Sequence, residues 1–178
     1  MEKIRINKPV VKALLWFGAL VWLFWIMIIL PNFKDLMALH DPSNFGVTQY
    51  RLDAVLYNAW HFPLVFLVIS LIHTKWSVLF PVTVYYSIWL VDALGVIVDI
   101  IRGDFIPALM FFIGALGFGA AIYFFSLVSL RIIHNNMFIK NDHYLVRWAG
   151  AVKMSLGEYW QWLLAAYAFY LIVTLFAG

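Results

Sequence analysis

The feature that most constrains this chain is a series of five long apolar runs separated by short polar connections. A helix needs about 20 apolar residues to cross the roughly 30 Å hydrocarbon core of a bilayer. The runs lack the apolar–polar alternation of transmembrane barrel strands. We therefore predict an all-α, polytopic transmembrane bundle with about five spans. These spans cover residues 9–30, 54–74, 77–101, 105–133 and 156–176.

The composition agrees with a chain embedded in lipid. Of its 178 residues, 65% are hydrophobic and 12% are charged, whereas soluble domains are about 45–50% apolar and about 25% charged. So few charges could not cover a surface that faces water. No linker, low-complexity segment or internal repeat interrupts the sequence. We expect a single multi-pass integral-membrane domain over residues 1–178.

Several function classes are excluded or disfavoured by what the sequence contains. The absence of cysteine excludes disulfides, thiolate metal sites and cysteine nucleophiles. The basic residues are not clustered with exposed aromatics on a soluble face, so we expect no nucleic-acid partner. The sequence also lacks a phosphate-binding loop, a dinucleotide fingerprint, an HExxH zinc motif and a GxSxG elbow. We therefore expect no catalytic activity of the chain's own.

The distribution of Lys and Arg predicts an orientation. With five spans, the N-terminus and the second-to-third and fourth-to-fifth connections share one side, which holds nine of the twelve basic residues. Because cytoplasmic loops carry the excess of Lys and Arg, we predict a cytoplasmic N-terminus and a C-terminus on the opposite side. The nine are Lys3, Arg5, Lys8, Lys12, Lys75, Arg131, Lys140, Arg147 and Lys153, and the other three are Lys34, Arg51 and Arg102.

Residues 142–155, between the fourth and fifth runs, combine an apolar stripe with basic residues off that stripe. This pattern predicts a short amphipathic helix in the inner interface, with Asn141 or Asp142 as its N-cap. An ordinary polar loop is the alternative. The predicted apolar stripe consists of Leu145, Trp148, Ala149, Val152 and Leu156.

Ionisable residues inside the spans are informative because a charge at mid-bilayer costs at least about 2.5–3.5 kcal/mol. At 1.5 Å per residue, His61 and Asp92 lie about 10 and 13 Å from the outer ends of their spans. Tyr85 and Asp99 stand seven residues to either side of Asp92, on the same helix face, and Asn58 shares the face of His61. We therefore predict an intramembrane polar seam of these five residues between the second and third spans.

The polar seam has two principal interpretations. It is a proton or cation pathway if Asp92 titrates and His61 relays protons. It is structural if an Asp–His pair and an Asp99–Arg102 pair hold the helices together.

Metal or haem binding is a further interpretation of the intramembrane histidines and carboxylates. His61, Asp92 and Asp99 are candidate ligands for a hard or borderline metal, although their spacing matches no strong ligand motif. His73 and His134 fall at the inner ends of the second and fourth spans, where a bis-His haem would require them to face each other. The sequence indicates no other cofactor.

Small residues in the fourth span predict close helix packing. Ala115 with Gly119, and Gly117 with Ala121, form small-xxx-small pairs that let another helix approach. Pro63 removes a backbone hydrogen bond inside the second span and predicts a kink there.

Three functional hypotheses follow. The leading one is an accessory or structural subunit of a larger membrane complex, whose partners are other membrane subunits or further copies of the chain. Such a subunit would use the small-residue face of the fourth span and the aromatic first and fifth spans for partner contacts. The alternatives are a small proton- or cation-coupled transporter that uses the polar seam, and a membrane enzyme with a His/Asp metal site.

Overall fold

The computed structural model describes residues 8–29, 31 and 49–177. Within these residues it contains α-helices and one 3₁₀ helix, with no strand, which confirms the all-α prediction. The α-helices are α1 (Lys8–Ile29), α2 (Gln49–Ile69), α3 (Leu79–Arg102), α4 (Phe105–Asn136) and α5 (Tyr144–Ala177), and the 3₁₀ helix is Lys75–Val78.

The chain divides into two compact units, Met1–Asp41 and Pro42–Gly178. The first contributes α1, a 22-residue apolar helix in which most of the described side chains are exposed. The second contains α2 to α5 and the 3₁₀ helix, and it holds the candidate site. The single-domain prediction stays a prediction.

Three segments are long and apolar enough to cross a membrane: Lys75–Arg102, Phe105–Asn136 and Tyr144–Phe176. Two shorter apolar stretches, Lys12–Ile28 and Val55–Ile69, belong to α1 and α2. Large apolar side chains such as Ile101 and Phe105 remain exposed, as they are where lipid is the solvent. The length and composition of the helices therefore indicate a membrane protein.

Helix α4 is the centre of the second unit. It packs along much of its length against α5 and also contacts α3 and α2. Aromatic rings fill the space between the helices: the Phe62 ring of α2 lies 4.4 Å from Tyr85 of α3 and 5.1 Å from Phe125 of α4, centroid to centroid. Because lipid tails are as apolar as these rings, such a core is stabilised mainly by close van der Waals packing.

A tight turn sets α3 and α4 side by side. Gly103 adopts a left-handed conformation with φ of 85°, which glycine reaches without the steric penalty of a Cβ. Its N–H donates to the Ile100 carbonyl at 3.1 Å, and the Asp104 N–H donates to the Asp99 carbonyl at 2.9 Å. This pair of bonds is a Schellman motif, which satisfies the last carbonyls of α3. Pro107 then fits the first turn of α4, where an N–H has no intrahelical partner.

The second predicted span ends earlier than expected. We predicted residues 54–74, but α2 ends at Ile69, and the chain then turns into the 3₁₀ helix. The Ser70 hydroxyl donates to the Leu67 carbonyl at 2.6 Å, and Thr74 accepts from the Trp76 N–H at 3.4 Å. Side-chain hydrogen bonds of this kind compete with the helical ladder, which explains why apolar residues 71 and 72 do not extend α2.

The separate interfacial helix at residues 142–155 is wrong as predicted. Residues 144–177 form one continuous helix, because no proline or side-chain cap interrupts α5 near residue 155. The inward stripe is also different: Ala151 and Ser155 are fully buried, whereas Leu145 and Ala149 of the predicted stripe are exposed. Asn141 does bond near the helix start, accepting from the His143 N–H at 2.8 Å.

The start of α5 contacts the connection between α2 and the 3₁₀ helix. The Trp148 indole N–H donates to the Ser70 hydroxyl at 3.0 Å, and the Tyr144 hydroxyl donates to the Leu71 carbonyl. The His73 ring packs 4.4 Å from the Tyr144 ring. The second-to-third and fourth-to-fifth connections therefore lie at the same end of this unit.

Candidate polar cavity between four helices

A cavity of about 310 Å³ lies between α2, α3, α4 and α5. Three of the five predicted seam residues line it: Asn58, Tyr85 and Asp92. We call this space the Asp92 cavity. Its polar lining side chains are Asn58, Tyr85, Asp92, Tyr170 and Thr174, and rings and aliphatic side chains such as Phe62, Ile88 and Phe118 form the rest.

Helix α3 supplies the carboxylate of the Asp92 cavity. Tyr85 and Asp92 are seven residues apart, nearly two helical turns, and both line the cavity as their spacing predicts. Tyr85 is buried among the core rings, and Asp92 is half-buried. Asp92 thus belongs to a helix that is otherwise apolar enough to cross a membrane.

Helix α2 is tied to α5 by two hydrogen bonds of Asn58. The Asn58 amide Nδ2 donates to the Tyr170 hydroxyl at 3.1 Å, and the Tyr167 hydroxyl donates to the Asn58 carbonyl at 2.7 Å. Pro63 lacks the N–H that would bond to the carbonyl of residue 59, one position further along α2. Tyr167 therefore supports the backbone of α2 next to the gap that Pro63 leaves.

His61 contacts the cavity lining through Tyr85 and does not itself line the cavity. The Tyr85 hydroxyl and the His61 Nδ1 are 3.5 Å apart, a long hydrogen-bond distance. The imidazole stacks on Tyr57 at 4.7 Å and meets the edge of Trp60 at 5.9 Å. The structure thus places His61 next to Tyr85, and Tyr85, unlike His61, lines the cavity with Asp92.

Asp99 is not part of the Asp92 cavity. Its side chain is only 2% exposed, and its Oδ2 has no hydrogen-bond partner within the described part of the chain. No ion pair joins it to Arg102, although the structure describes both residues. Asp99 stands one heptad, about 10 Å, further along α3, at the turn that leads into α4. Sharing a helix face with Asp92 was therefore insufficient to bring it to the same cavity.

Sequence reasoning missed the contribution of α5. Tyr167, Tyr170 and Thr174 follow one another at spacings of three and four residues, which places them on one face of the helix. Tyr170 and Thr174 line the Asp92 cavity, and the Thr174 hydroxyl donates to the Tyr170 carbonyl at 2.9 Å. Polar residues at this spacing in the fifth apolar run were the signal that could have found them.

The small residues of α4 pack against helices of the same chain. Ala121 is fully buried, and Ala115 accepts a 2.8 Å hydrogen bond from the Trp89 indole through its carbonyl. A methyl group at Gly117 would lie 3.0 Å from the Phe169 ring of α5, and one at Gly119 would lie 3.2 Å from the Trp89 indole of α3. The predicted close packing is thus present, but α3 and α5 occupy the face that we assigned to partner contacts.

The three metal candidates do not come together. Among residues 8–29, 31 and 49–177, no three His, Asp or Glu side chains form a group that could hold a metal ion. His61, Asp92 and Asp99 therefore do not make a ligand set. His73 packs on Tyr144, whereas His134 meets the edge of the Phe138 ring at 4.8 Å.

No family model, curated protein or solved structure matches the chain.

Proposed function

We propose that this chain is a small multi-pass membrane carrier for protons or small cations and that Asp92 is its titrating carboxylate. The observation that carries the proposal is the position of Asp92 on a cavity of about 310 Å³ inside a bundle of apolar helices. Ionisable residues in membrane spans are rare and costly, and those that face an internal cavity mark ion and proton pathways.

The chemistry of the Asp92 cavity favours a cation. Among the described residues that line it, the Asp92 carboxylate is accompanied by the oxygens of Tyr85, Tyr170 and Thr174, and none is a Lys or Arg. Such oxygens are suitable ligands for a hard cation or for protonated water. Water takes about 30 Å³ per molecule in the liquid, so the volume accommodates a small hydrated ion.

Tyr85 and His61 extend the path away from the cavity. Tyr85 lines the cavity, and its hydroxyl is 3.5 Å from the His61 Nδ1. The phenol therefore connects the cavity to the imidazole of His61. Histidine changes charge near neutral pH and relays protons in other proteins. In this proposal Asp92 binds the proton or cation, and His61 exchanges protons with it through Tyr85 and solvent.

We further propose five spans with a cytoplasmic N-terminus and the C-terminus opposite. The start of α5 contacts the second-to-third connection through Trp148 and Ser70, so this connection and the fourth-to-fifth connection lie at the same end, as expected if α3 and α4 cross the membrane in opposite directions. Nine of the twelve basic residues lie at the N-terminus, in those connections or in the helix segments next to them, which agrees with the positive-inside rule.

The subunit hypothesis stays a prediction. Its small-residue face is occupied by α3 and α5, so a partner would have to bind the outward apolar surface. The metalloenzyme hypothesis loses support because the three candidate ligands do not cluster in the described residues.

The carrier proposal is tested by flux through the full chain in proteoliposomes. An internal pH-sensitive dye reports proton entry when a membrane potential is imposed, and parallel samples contain Na⁺ or K⁺ as the driven ion. We expect Asp92→Asn to reduce flux to the level of protein-free liposomes, because the amide cannot release a proton or neutralise a cation. The matched control is Asp104→Asn, since Asp104 is an exposed carboxylate that makes no capping hydrogen bond. Equal flux through the wild type and the Asp92→Asn variant would contradict the proposal.

A further inference from the structure

A second concave surface combines a basic end with an apolar end. This groove, of about 600 Å³, is lined by Lys75, Arg131 and His134 at one end and by Tyr123, Leu127 and Leu130 along α4. We call it the basic groove. No described residue lines both this groove and the Asp92 cavity.

The order of residues along α4 gives the basic groove its polarity. Tyr123, Leu127, Leu130 and His134 recur at three- and four-residue spacings, so they form one stripe on the helix. From Tyr123 to His134 the stripe is about 16 Å long at 1.5 Å per residue. It is therefore apolar toward the middle of α4 and basic toward its C-terminal end.

The basic residues converge from two antiparallel helices. Lys75 begins the 3₁₀ helix that precedes α3, and Arg131 and His134 lie in the last turns of α4. Since α3 and α4 are joined by the tight turn at their other ends, these three residues meet at the same end of the bundle. That end is where a membrane-spanning α4 leaves the hydrocarbon.

Glu158 holds the guanidinium of Arg131 in place and leaves some of its N–H donors unused. Its Nε and Nη2 donate to the two carboxylate oxygens of Glu158 at 3.1 and 3.2 Å. Both side chains of this pair remain 42% exposed. A guanidinium has five N–H donors, so a bidentate carboxylate leaves others for a second anion. Glu158 fixes the guanidinium but also cancels part of its charge.

We propose that the basic groove binds an anionic glycerophospholipid, with the phosphate between Lys75, Arg131 and His134 and an acyl chain along the Tyr123–Leu130 stripe. Charge complementarity selects the headgroup, and the apolar stripe selects a ligand that has a chain attached to its phosphate. Basic pockets between transmembrane helices bind anionic headgroups by the same electrostatics. The proposal does not depend on transport through Asp92.

The test is lipid titration of the purified full chain, followed by native mass spectrometry. The probes are phosphatidylglycerol, phosphatidylcholine with the same chains, and glycerol 3-phosphate, which has the phosphate without the chains. We expect phosphatidylglycerol to bind the wild type more tightly than phosphatidylcholine, and glycerol 3-phosphate to leave its binding unchanged. Equal binding of both lipids would overturn the proposal. Displacement of phosphatidylglycerol by glycerol 3-phosphate at comparable concentration would identify a site for free phosphate esters instead.

Three variants distinguish the groove from general surface charge. Lys75→Gln should weaken phosphatidylglycerol binding about fivefold, the effect of one basic residue near an anionic headgroup. Glu158→Gln should strengthen it several-fold, because Arg131 then offers its full charge, and a misfolded protein would not gain affinity. Lys153→Gln, which removes an exposed α5 lysine outside the groove, should change nothing. If Lys75→Gln and Lys153→Gln behave alike, or if Glu158→Gln does not strengthen binding, the groove is not the site.

Discussion

Asp92, Tyr85 and His61 show how single residues define the candidate pathway. Asp92 faces a cavity that Tyr85 also lines, and Tyr85 separates that cavity from the imidazole of His61. A phenol can accept a proton on one side and donate one on the other, whereas a phenyl ring can do neither. The hydroxyl of Tyr85 is therefore the group that the proposed relay requires, whereas its ring packs in the core.

Tyr85→Phe should separate these two roles. We expect it to reduce proton flux several-fold in proteoliposomes while the unfolding free energy changes by less than about 1 kcal/mol, because the lost hydrogen bond is long. Tyr86→Phe is the matched control, since Tyr86 is the exposed neighbour on α3 and stacks on Trp89 at 5.4 Å. Unchanged flux in Tyr85→Phe would remove Tyr85 from the path.

Part of the candidate site could be predicted from spacing within single helices. The seven-residue interval of Tyr85 and Asp92 was sufficient to place both on one face, and both line the cavity. The same interval failed for Asp99, because a shared face does not give a shared depth. Tyr170 was missed because its partner Asn58 is 112 residues away in sequence, and contacts between helices depend on rotations that single-helix periodicity does not define.

At the scale of elements, the close packing of α5 against the small residues of α4 shapes the Asp92 cavity. A Cβ atom at Gly117 would lie 3.0 Å from the Phe169 ring and 3.3 Å from the Tyr170 backbone, so α4 and α5 meet where no larger residue fits. Tyr170 also lines the Asp92 cavity. The small residues of α4 therefore place a cavity-lining side chain.

Gly117→Ala should destabilise the bundle, whereas Gly114→Ala should not. We expect Gly117→Ala to lower the unfolding free energy by about 1–3 kcal/mol, because the new methyl group would crowd both the Phe169 ring and the Tyr170 backbone. A methyl group at Gly114 would lie 3.6 Å from its nearest neighbour, which is ordinary van der Waals contact. The better helix propensity of alanine should therefore stabilise the protein by as much as about 1 kcal/mol. Thermal unfolding in one detergent measures both variants, and equal unfolding temperatures would contradict this account of the packing.

Sequence patterns predicted the existence of the elements better than their ends. The apolar runs located α3 and α4 to within a few residues, because the tight turn at Gly103 separates them sharply. The apolar runs wrongly predicted a helix boundary at residue 155. No proline or cap interrupts the helix there, and apolar residues lie on all faces of α5, so the amphipathic segment continues into it as one helix. Ser70 ended α2 early through a local hydrogen bond that apolar run length does not register.

The whole four-helix unit differs from a soluble protein in having an apolar exterior around its apolar core. Serines such as Ser87 and Ser129 are buried, while isoleucines such as Ile100 and Ile101 are exposed. Both of these serines donate to backbone carbonyls, Ser87 to Val84 at 2.6 Å and Ser129 to Phe66 at 3.1 Å. This arrangement follows from composition, since lipid accepts apolar side chains outside and polar groups must find partners inside. Transport through Asp92 requires the Asp92 cavity to be an aqueous space within this bundle.

The most direct test of that claim is thiol accessibility, because the chain has no native cysteine. Thr174→Cys places a thiol on the cavity, and Ile172→Cys places one on the surface of α5, where the isoleucine is 56% exposed. In proteoliposomes we expect methanethiosulfonate ethylammonium to modify Thr174→Cys and to leave Ile172→Cys unmodified in lipid. The anionic ethylsulfonate reagent should react more slowly at Thr174→Cys, and Asp92→Asn should remove that difference. Equal reactivity at the two positions, or no reaction at Thr174→Cys, would contradict an aqueous cavity beside Asp92.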